Sequence, residues 1–291
     1  MKETYRNALI ALPLVILIGA GFAWAGSQGS VSAFGVPLFA LGVGLAFLIQ
    51  WLAFIPAYVF QTEKFYDLTG SITYITVTVL AVIFSPEVDA RSLLLMVLVL
   101  IWAGRLGTFL FRRVLNSGGD ERFDTIKPSF IRFLNTWTLQ GLWVTFTLSA
   151  ALAAITSTSQ VKLGFYALVG TLIWALGFTI EVAADAQKSR FRSQPDNQGQ
   201  FIQEGLWSWS RHPNYCGEIT LWVGVALIAL PALSGWQYVG LISPVFVALL
   251  ITRVSGVPML EERADEKWGG EEDYEEYKAN TPVLIPRPPQ D

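Results

Sequence analysis

The chain has 291 residues, 53% hydrophobic and only 15% charged, with mean hydropathy +0.46, whereas a soluble domain carries about 25% charged residues. A net charge of −3 excludes a chain-wide basic footprint for nucleic acid, and the apolar content excludes an acidic disordered chain. One cysteine, Cys216, excludes an intrachain disulfide framework and Cys-based metal sites, and one histidine, His212, excludes two-histidine metal motifs.

A bilayer core of about 30 Å needs about 20 mostly apolar residues per helix. In chain order the apolar runs are Ala8–Ala25, Ala33–Phe60, Thr69–Ser85, Ser92–Phe111, Phe133–Ile155, Leu163–Ile180, Gly217–Leu233 and Trp236–Ile251. They predict an all-α, polytopic membrane bundle of about eight transmembrane helices. Lys2, Arg6 and the apolar run up to Ala23-Trp24-Ala25 have the outline of a signal peptide. The run, at about 18 residues, exceeds the usual h-region of about 7–15, so it reads as a retained span.

The basic residues set the orientation. With eight spans, one side holds Lys2, Arg6 and Lys64, the five of the Arg112–Arg132 segment, the four from Lys188 to Arg211, and the four of the tail from Arg263 to Arg287. The opposite loops hold only Arg91 and Lys162. Both termini are therefore expected in the cytoplasm, and the chain in a cell membrane, the bacterial inner membrane. Residues 1–100 form the expected substrate-side region and 101–291 a C-terminal region with cytoplasmic loops. The chain shows no internal repeat and no sign of an obligate protein partner.

Ionisable residues inside or at the ends of spans are costly and usually mark a site. Here they are Arg105, Glu181, Asp185, Glu218 and Arg253. Glu181 and Asp185 stand one helical turn apart, with Arg192 two turns beyond Asp185. The stretch Ser210-Arg-His-Pro-Asn-Tyr-Cys-Gly-Glu218 leads straight into the seventh span. Pro213 sets the backbone as that helix starts, and Gly217 permits close approach. Arg211, Asn214 and Glu218 then gather at one helix mouth. The plainer reading makes Arg211 and His212 interface anchors, with Glu218 paired to one of them. No second histidine or cysteine cluster completes a metal shell around His212.

Glu181-Val-Ala-Ala-Asp185, Gly205-Leu-Trp207, Ser210–Glu218, Arg253-Val-Ser-Gly-Val-Pro258 and Leu284-Ile-Pro286 resemble the C-terminal region of the steroid 5-alpha-reductase family, closest to its bacterial membrane members. The resemblance covers about two-thirds of the chain, from Trp102 onward. It implies a membrane enzyme that binds NADPH from the cytoplasm and reduces a carbon–carbon double bond of a steroid-like or other hydrophobic lipid. It also implies cofactor contacts at Asp185, Arg192, Asn214, Glu218 and Arg253. Guanidinium forks suit the phosphates, which adds Arg211 to the expected set. No Gly-x-Gly-x-x-Gly follows a strand, so a Rossmann site is not expected. The steroid enzymes carry a His and a Tyr one and two turns after the arginine matching Arg253; here Val257 and Glu261 stand there.

Arg211-His212-Pro213-x-Tyr215-x-Gly217, with Glu261-Glu262 later, also resembles isoprenylcysteine and phospholipid methyltransferases. That alternative implies S-adenosylmethionine held by Arg211, His212, Tyr215 and Glu261. Reduction of an enone needs a hydrogen-bond donor or acid at the developing oxyanion. Among Gln50, Glu63, Tyr66, Asp67 and Gln140, the expected catalytic pair is Tyr66 and Asp67, at the head of the third span. The competing role for Asp67 is a helix N-cap. The acidic stretch Glu261–Glu276 reads as a solvated helix whose Trp268, Tyr274 and Tyr277 pack against the loops or the membrane interface.

Overall fold

A computed structural model describes residues 2–289. Among the described residues it is built of helices and one two-residue-per-strand hairpin. The helices are α1 (Lys2–Gly26), α2 (Leu38–Val59), α3 (Tyr66–Phe84), α4 (Ala90–Ser117), α5 (Phe130–Ile155), α6 (Phe165–Ser193), α7 (Pro213–Ala229), α8 (Ile242–Leu249), α9 (Val257–Trp268) and α10 (Glu272–Asn280). Eight helical stretches, the last running from Gly235 to Trp268, are long and apolar enough to cross a membrane. The chain is an all-α integral membrane protein.

Four boundaries differ from the apolar runs, each for a local reason. Residues expected at the start of the second span instead form a hairpin, β1 (Ser32–Ala33) against β2 (Val36–Pro37). Its two-residue loop, Phe34-Gly35, has positive φ at both positions (54° and 77°), the geometry of a tight hairpin turn. The sixth helix runs on to Ser193, because Glu181–Ser193 are polar but good helix formers. The seventh starts four residues early, at Pro213, whose fixed φ suits a first helical position. The eighth is not a single α-helix: a 3₁₀ stretch (Gly235–Leu241) precedes α8, and a π-helical turn (Leu250–Val254) follows it.

The molecule divides into two compact units, described separately. Unit 1 runs up to Ala167 and takes in Ile228–Ser243. At its centre is α5, 83% buried along its apolar window, where α1 is 28% and α4 33% buried. The α5 helix meets α1, α2, α3, α4 and the Gly235–Leu241 stretch. Its small residues Ala150, Ala151 and Ala153 are fully buried, so neighbouring backbones come close. Around it, α1 and α2 leave Leu9, Leu17, Leu52 and Ile55 exposed, the apolar outside of a membrane bundle. Polar side chains line the inside: Gln50 donates to Thr73 Oγ1 at 2.8 Å, and Trp51 Nε1 donates to Thr138 Oγ1 at 3.1 Å.

Arg91 is a buried clamp. It lies in the first turn of α4, 2% exposed. Its guanidinium donates to the carbonyls of Ile228, Val161 (3.2 Å) and Lys162 (3.0 Å). Ile228 stands in the last turn of α7, where a helix leaves carbonyls without an internal partner, while Val161 and Lys162 lie in the loop before α6.

Unit 2 holds Leu168–Leu227 and the chain from Pro244 onward. Its α6 and α7 touch backbone to backbone. A Cβ on Gly217 would lie 2.6 Å from both Glu181 N and Gly177 O, and one on Gly224 would lie 2.6 Å from Trp174 N. Only glycine fits this seam. Ala184, Phe191, Ile202 and Trp207 form the local core. The acidic stretch packs on the loop after α6: Phe201 contacts the rings of Trp268, Tyr274 and Tyr277, and Trp268 Nε1 donates to Gly199 O at 2.6 Å.

Candidate functional site

The turn Gly205–His212, in unit 2, is stapled from two directions. On the α6 side, Trp207 Nε1 donates to Ala184 O at 3.0 Å, and Gln187 Oε1 accepts from Leu206 N at 2.9 Å. On the other side the tail after α10 runs back across the turn. Arg211 N donates to Pro282 O (2.9 Å) and Arg287 N to Trp209 O (3.0 Å). Ser210, fully buried, donates to Leu284 O at 3.0 Å, and its Oγ accepts from His212 N at 3.2 Å. Tyr277 adds a bond to Trp207 O at 2.7 Å.

The turn presents Arg211 and His212 to one carboxylate. Arg211 Nη1 lies 2.8 Å from Glu261 Oε2, and His212 Nε2 lies 2.7 Å from Glu261 Oε1. Glu261 thus faces both residues at once. His212 is 5% exposed, and its ring stacks on Tyr215 at 5.6 Å with a 15° interplanar angle. Burial holds the His212 pKa below the ordinary imidazole value, against the opposing pull of Glu261. At the second position of α7, Asn214 Nδ2 donates to Asp185 Oδ1 at 3.2 Å, and Asp185 is itself 6% exposed.

Among the described residues, Arg211 Nε, His212 Nδ1 and Asn214 Oδ1 are buried with no hydrogen-bond partner, and Arg211 Nη1 has only its ion pair with Glu261. Each is a donor or acceptor already removed from water, a state that costs about 1–3 kcal/mol unless something pairs with it. A dinucleotide suits this set in part. Asn214 Oδ1 is an acceptor for a carboxamide N–H, and His212 Nδ1 and Arg211 Nε offer further ring- and amide-scale contacts. Arg211 itself is neutralised by Glu261, so it is not the open phosphate fork expected of it. Arg253 is exposed at the end of the π-helical turn and makes no ion pair among the described residues. Arg192 is exposed on the last turn of α6. These two guanidiniums reach water, where a phosphate can meet them. Glu218 is half-buried on α7.

Tyr66 and Asp67 lie in unit 1. Tyr66 opens α3, its hydroxyl donating to Thr136 O at 3.0 Å, with ring edges against Phe123 and Trp137. Asp67 is half-buried one residue inside the helix; the N-cap is Phe65, with no side-chain cap bond, so Asp67 does not have the capping role. Glu63 belongs to an ion cluster: its Oε2 accepts from Lys127 at 2.6 Å and its Oε1 from Asp120 N at 2.9 Å. Burial raises the Glu63 pKa, but Lys127 and the Asp120 N–H outweigh it and hold the carboxyl below its ordinary value.

Sequence reading missed the clasp of Ser210 on the tail. The one available signal was that Ser210 and Leu284-Ile-Pro286 both sit in the motifs of the resemblance, 74 residues apart. It also placed Glu261 only through the methyltransferase landmark, since nothing local joins it to His212 across 49 residues.

No curated protein and no solved structure shows significant similarity to the chain. A family model does match, over residues 53–281, and that family is described as a protein of unknown function, DUF1295. The match begins well before Trp102, so it takes in α3, α4 and part of α2 as well as the stapled turn and its partners. On that match the chain belongs to the DUF1295 family.

Proposed function

We propose that this protein is an NADPH-dependent reductase of a carbon–carbon double bond in a steroid-like or other bilayer-soluble lipid. The observation that carries the reading is the trio of unpartnered buried atoms on Arg211, His212 and Asn214, set in the motif that resembles the steroid 5-alpha-reductases. Bound NADPH would supply a hydride. The chain's own part is to hold and orient. Asn214, fixed through Asp185, offers its oxygen to an amide, and His212, fixed through Glu261, offers Nδ1. Arg253 and Arg192 supply positive charge to phosphates, and Tyr215 stacks on His212 and limits its tilt. Tyr66 and Asp67 are the proposed proton donors. In this reading the termini and the basic loops lie in the cytoplasm, where the nucleotide is, while the lipid substrate arrives through the bilayer.

A second reading rests on one contact. Glu261 closes on Arg211 and His212, and those three residues are shared with the landmark of the lipid methyltransferases, whose cofactor is S-adenosylmethionine. One experiment separates the two. Purified protein in lipid nanodiscs is titrated with NADPH and, separately, with S-adenosylmethionine, and then incubated with a lipid extract and NADPH deuterated at the transferred position. Saturable NADPH binding with deuterium in a lipid product supports the reductase. Methyl transfer with no NADPH oxidation against any lipid replaces it with the methyltransferase.

A further inference from the structure

Two cavities at helix ends in unit 1 differ in how their charge is balanced. The first, about 300 Å³, is lined by Glu63, Lys64, Asp120, Asp124 and Lys127 among others. It is closed electrostatically, because Lys127 bridges Glu63 at 2.6 Å and Asp124 at 3.0 Å. The second, about 260 Å³, lies where α1 meets α5, lined by Asn7, Ala8, Ala11, Ile126, Arg132, Asn135 and Thr136. Its one lining cation has no counter-ion among the described residues. Arg132 spends one N–H on Thr125 O at 2.6 Å and forms no ion pair among the described residues. It stands in the first turn of α5, where the helix field is already positive, and no acidic residue shares that turn. One turn on, Asn135 Oδ1 is buried without a hydrogen-bond partner.

The position of this cavity selects the ligand. Arg132 is in the first turn of one candidate span (Phe130–Ile155), and Asn7 is in the first turn of another (Arg6–Gly26). Both mark the depth at which a helix leaves hydrocarbon for water. Small Ala8 and Ala11 open the wall, and exposed Leu14 and Ile18 continue along α1. An occupant needs an anionic group for four spare guanidinium N–H donors, a hydroxyl for Asn135 and an apolar body for the α1 face.

We propose that the α1–α5 cavity binds one anionic glycerophospholipid with a hydroxylated headgroup. Its phosphate sits on Arg132, a headgroup hydroxyl donates to Asn135 Oδ1, and its acyl chains lie along α1. The site is independent of the proposed reduction.

The test is native mass spectrometry of the full chain released from detergent, titrated with phosphatidylglycerol, phosphatidic acid or phosphatidylcholine. The wild type retains one phosphatidylglycerol in preference to the other two. Arg132→Gln weakens that binding by about tenfold. Asn135→Ala keeps phosphate binding but erases the preference for phosphatidylglycerol over phosphatidic acid. Ala11→Phe fills the cavity with every charge intact and removes the bound lipid. Circular dichroism and thermal unfolding check each variant's fold, and Arg132→Lys, which keeps the charge, retains binding. Wild-type lipid retention in Arg132→Gln or in folded Ala11→Phe overturns the proposal. Displacement of the lipid by millimolar inorganic phosphate overturns it in favour of a soluble anion.

Discussion

Two carboxylate–cation clusters at helix ends teach different lessons. In unit 1, both oxygens of Glu63 are spoken for, one by Lys127 and one by Asp120 N. In unit 2, Glu261 likewise faces two partners, but Arg211 Nε, His212 Nδ1 and neighbouring Asn214 Oδ1 are buried and unmatched. A cluster that closes on itself holds a fold together. In the proposed function the second cluster keeps its buried, unspent hydrogen-bonding capacity for the nucleotide, because leaving that capacity unpaired carries a cost.

The sharpest way to break the comparison is Glu63→Ala. It strands the Asp120 N–H and removes the main partner of Lys127. We expect a loss of about 2–3 kcal/mol, below the full cost of a stranded buried charge because Lys127 keeps Asp124. Thermal unfolding in detergent reads it, and NADPH affinity in the folded fraction stays unchanged. Glu261→Gln comes next, at about 1–2 kcal/mol. Unlike the first variant, it also weakens nucleotide binding, since Arg211 and His212 lose the charge that orients them. Equal effects of both variants on binding would erase the distinction between the clusters.

Acid separates the same clusters by pH. The folded pKa of His212 is depressed, so the neutral ring's contribution is fully present above its unfolded value of about 6.5 and is lost as pH falls through the lower folded value. The Glu63 carboxyl is depressed as well. Its contribution is present above about pH 4.3 and is lost only below that. Unfolding midpoints recorded from pH 8 downward should fall in two stages. His212→Gln should remove the upper stage, and Glu63→Gln should shrink the lower one, which the likewise depressed Asp120 carboxyl shares.

The smallest structural effects belong to the residues proposed to face the nucleotide. Asn214→Leu should cost about 1 kcal/mol of stability or less and lower NADPH affinity about tenfold, roughly 1.4 kcal/mol. Arg253→Ala, at an exposed position, should leave stability within about 0.5 kcal/mol. Its loss of NADPH affinity, read by titration, should shrink as salt rises, as expected of an exposed charge contact. An Arg253→Ala protein with wild-type affinity at low salt would remove Arg253 from the proposed phosphate contacts.

The number and order of the spans were legible because a bilayer demands long uninterrupted apolar runs. The hairpin at Ser32–Pro37 was hidden inside one such run, since Phe34-Gly35 lacks the Asn-Gly or Asp-Gly signal of a tight turn. The C-terminal end of α6 was hidden for the opposite reason: Asp185–Ser193 are helical but too polar to count towards hydropathy. The Arg211–Asn214 motif was legible as a local cluster. Its partners were not, because Asp185, Glu261 and Leu284 reach it from 29, 49 and 74 residues away, and spacing along a chain carries no trace of such pairings. Asn135 was invisible until α1 and α5 were seen side by side.

The clasp of Ser210 on the tail has a consequence for the timing of synthesis. The carbonyls that grip the turn belong to residues 73 and 74 positions further along. At about 5–20 residues per second, the turn waits some 4–15 s after its own translation before its fastening exists. During that interval the seventh and eighth spans have still to be made and inserted. The Arg211–His212 corner is therefore among the last parts of the molecule to set, and a nascent chain arrested before Pro282 would carry all eight spans with that corner still loose.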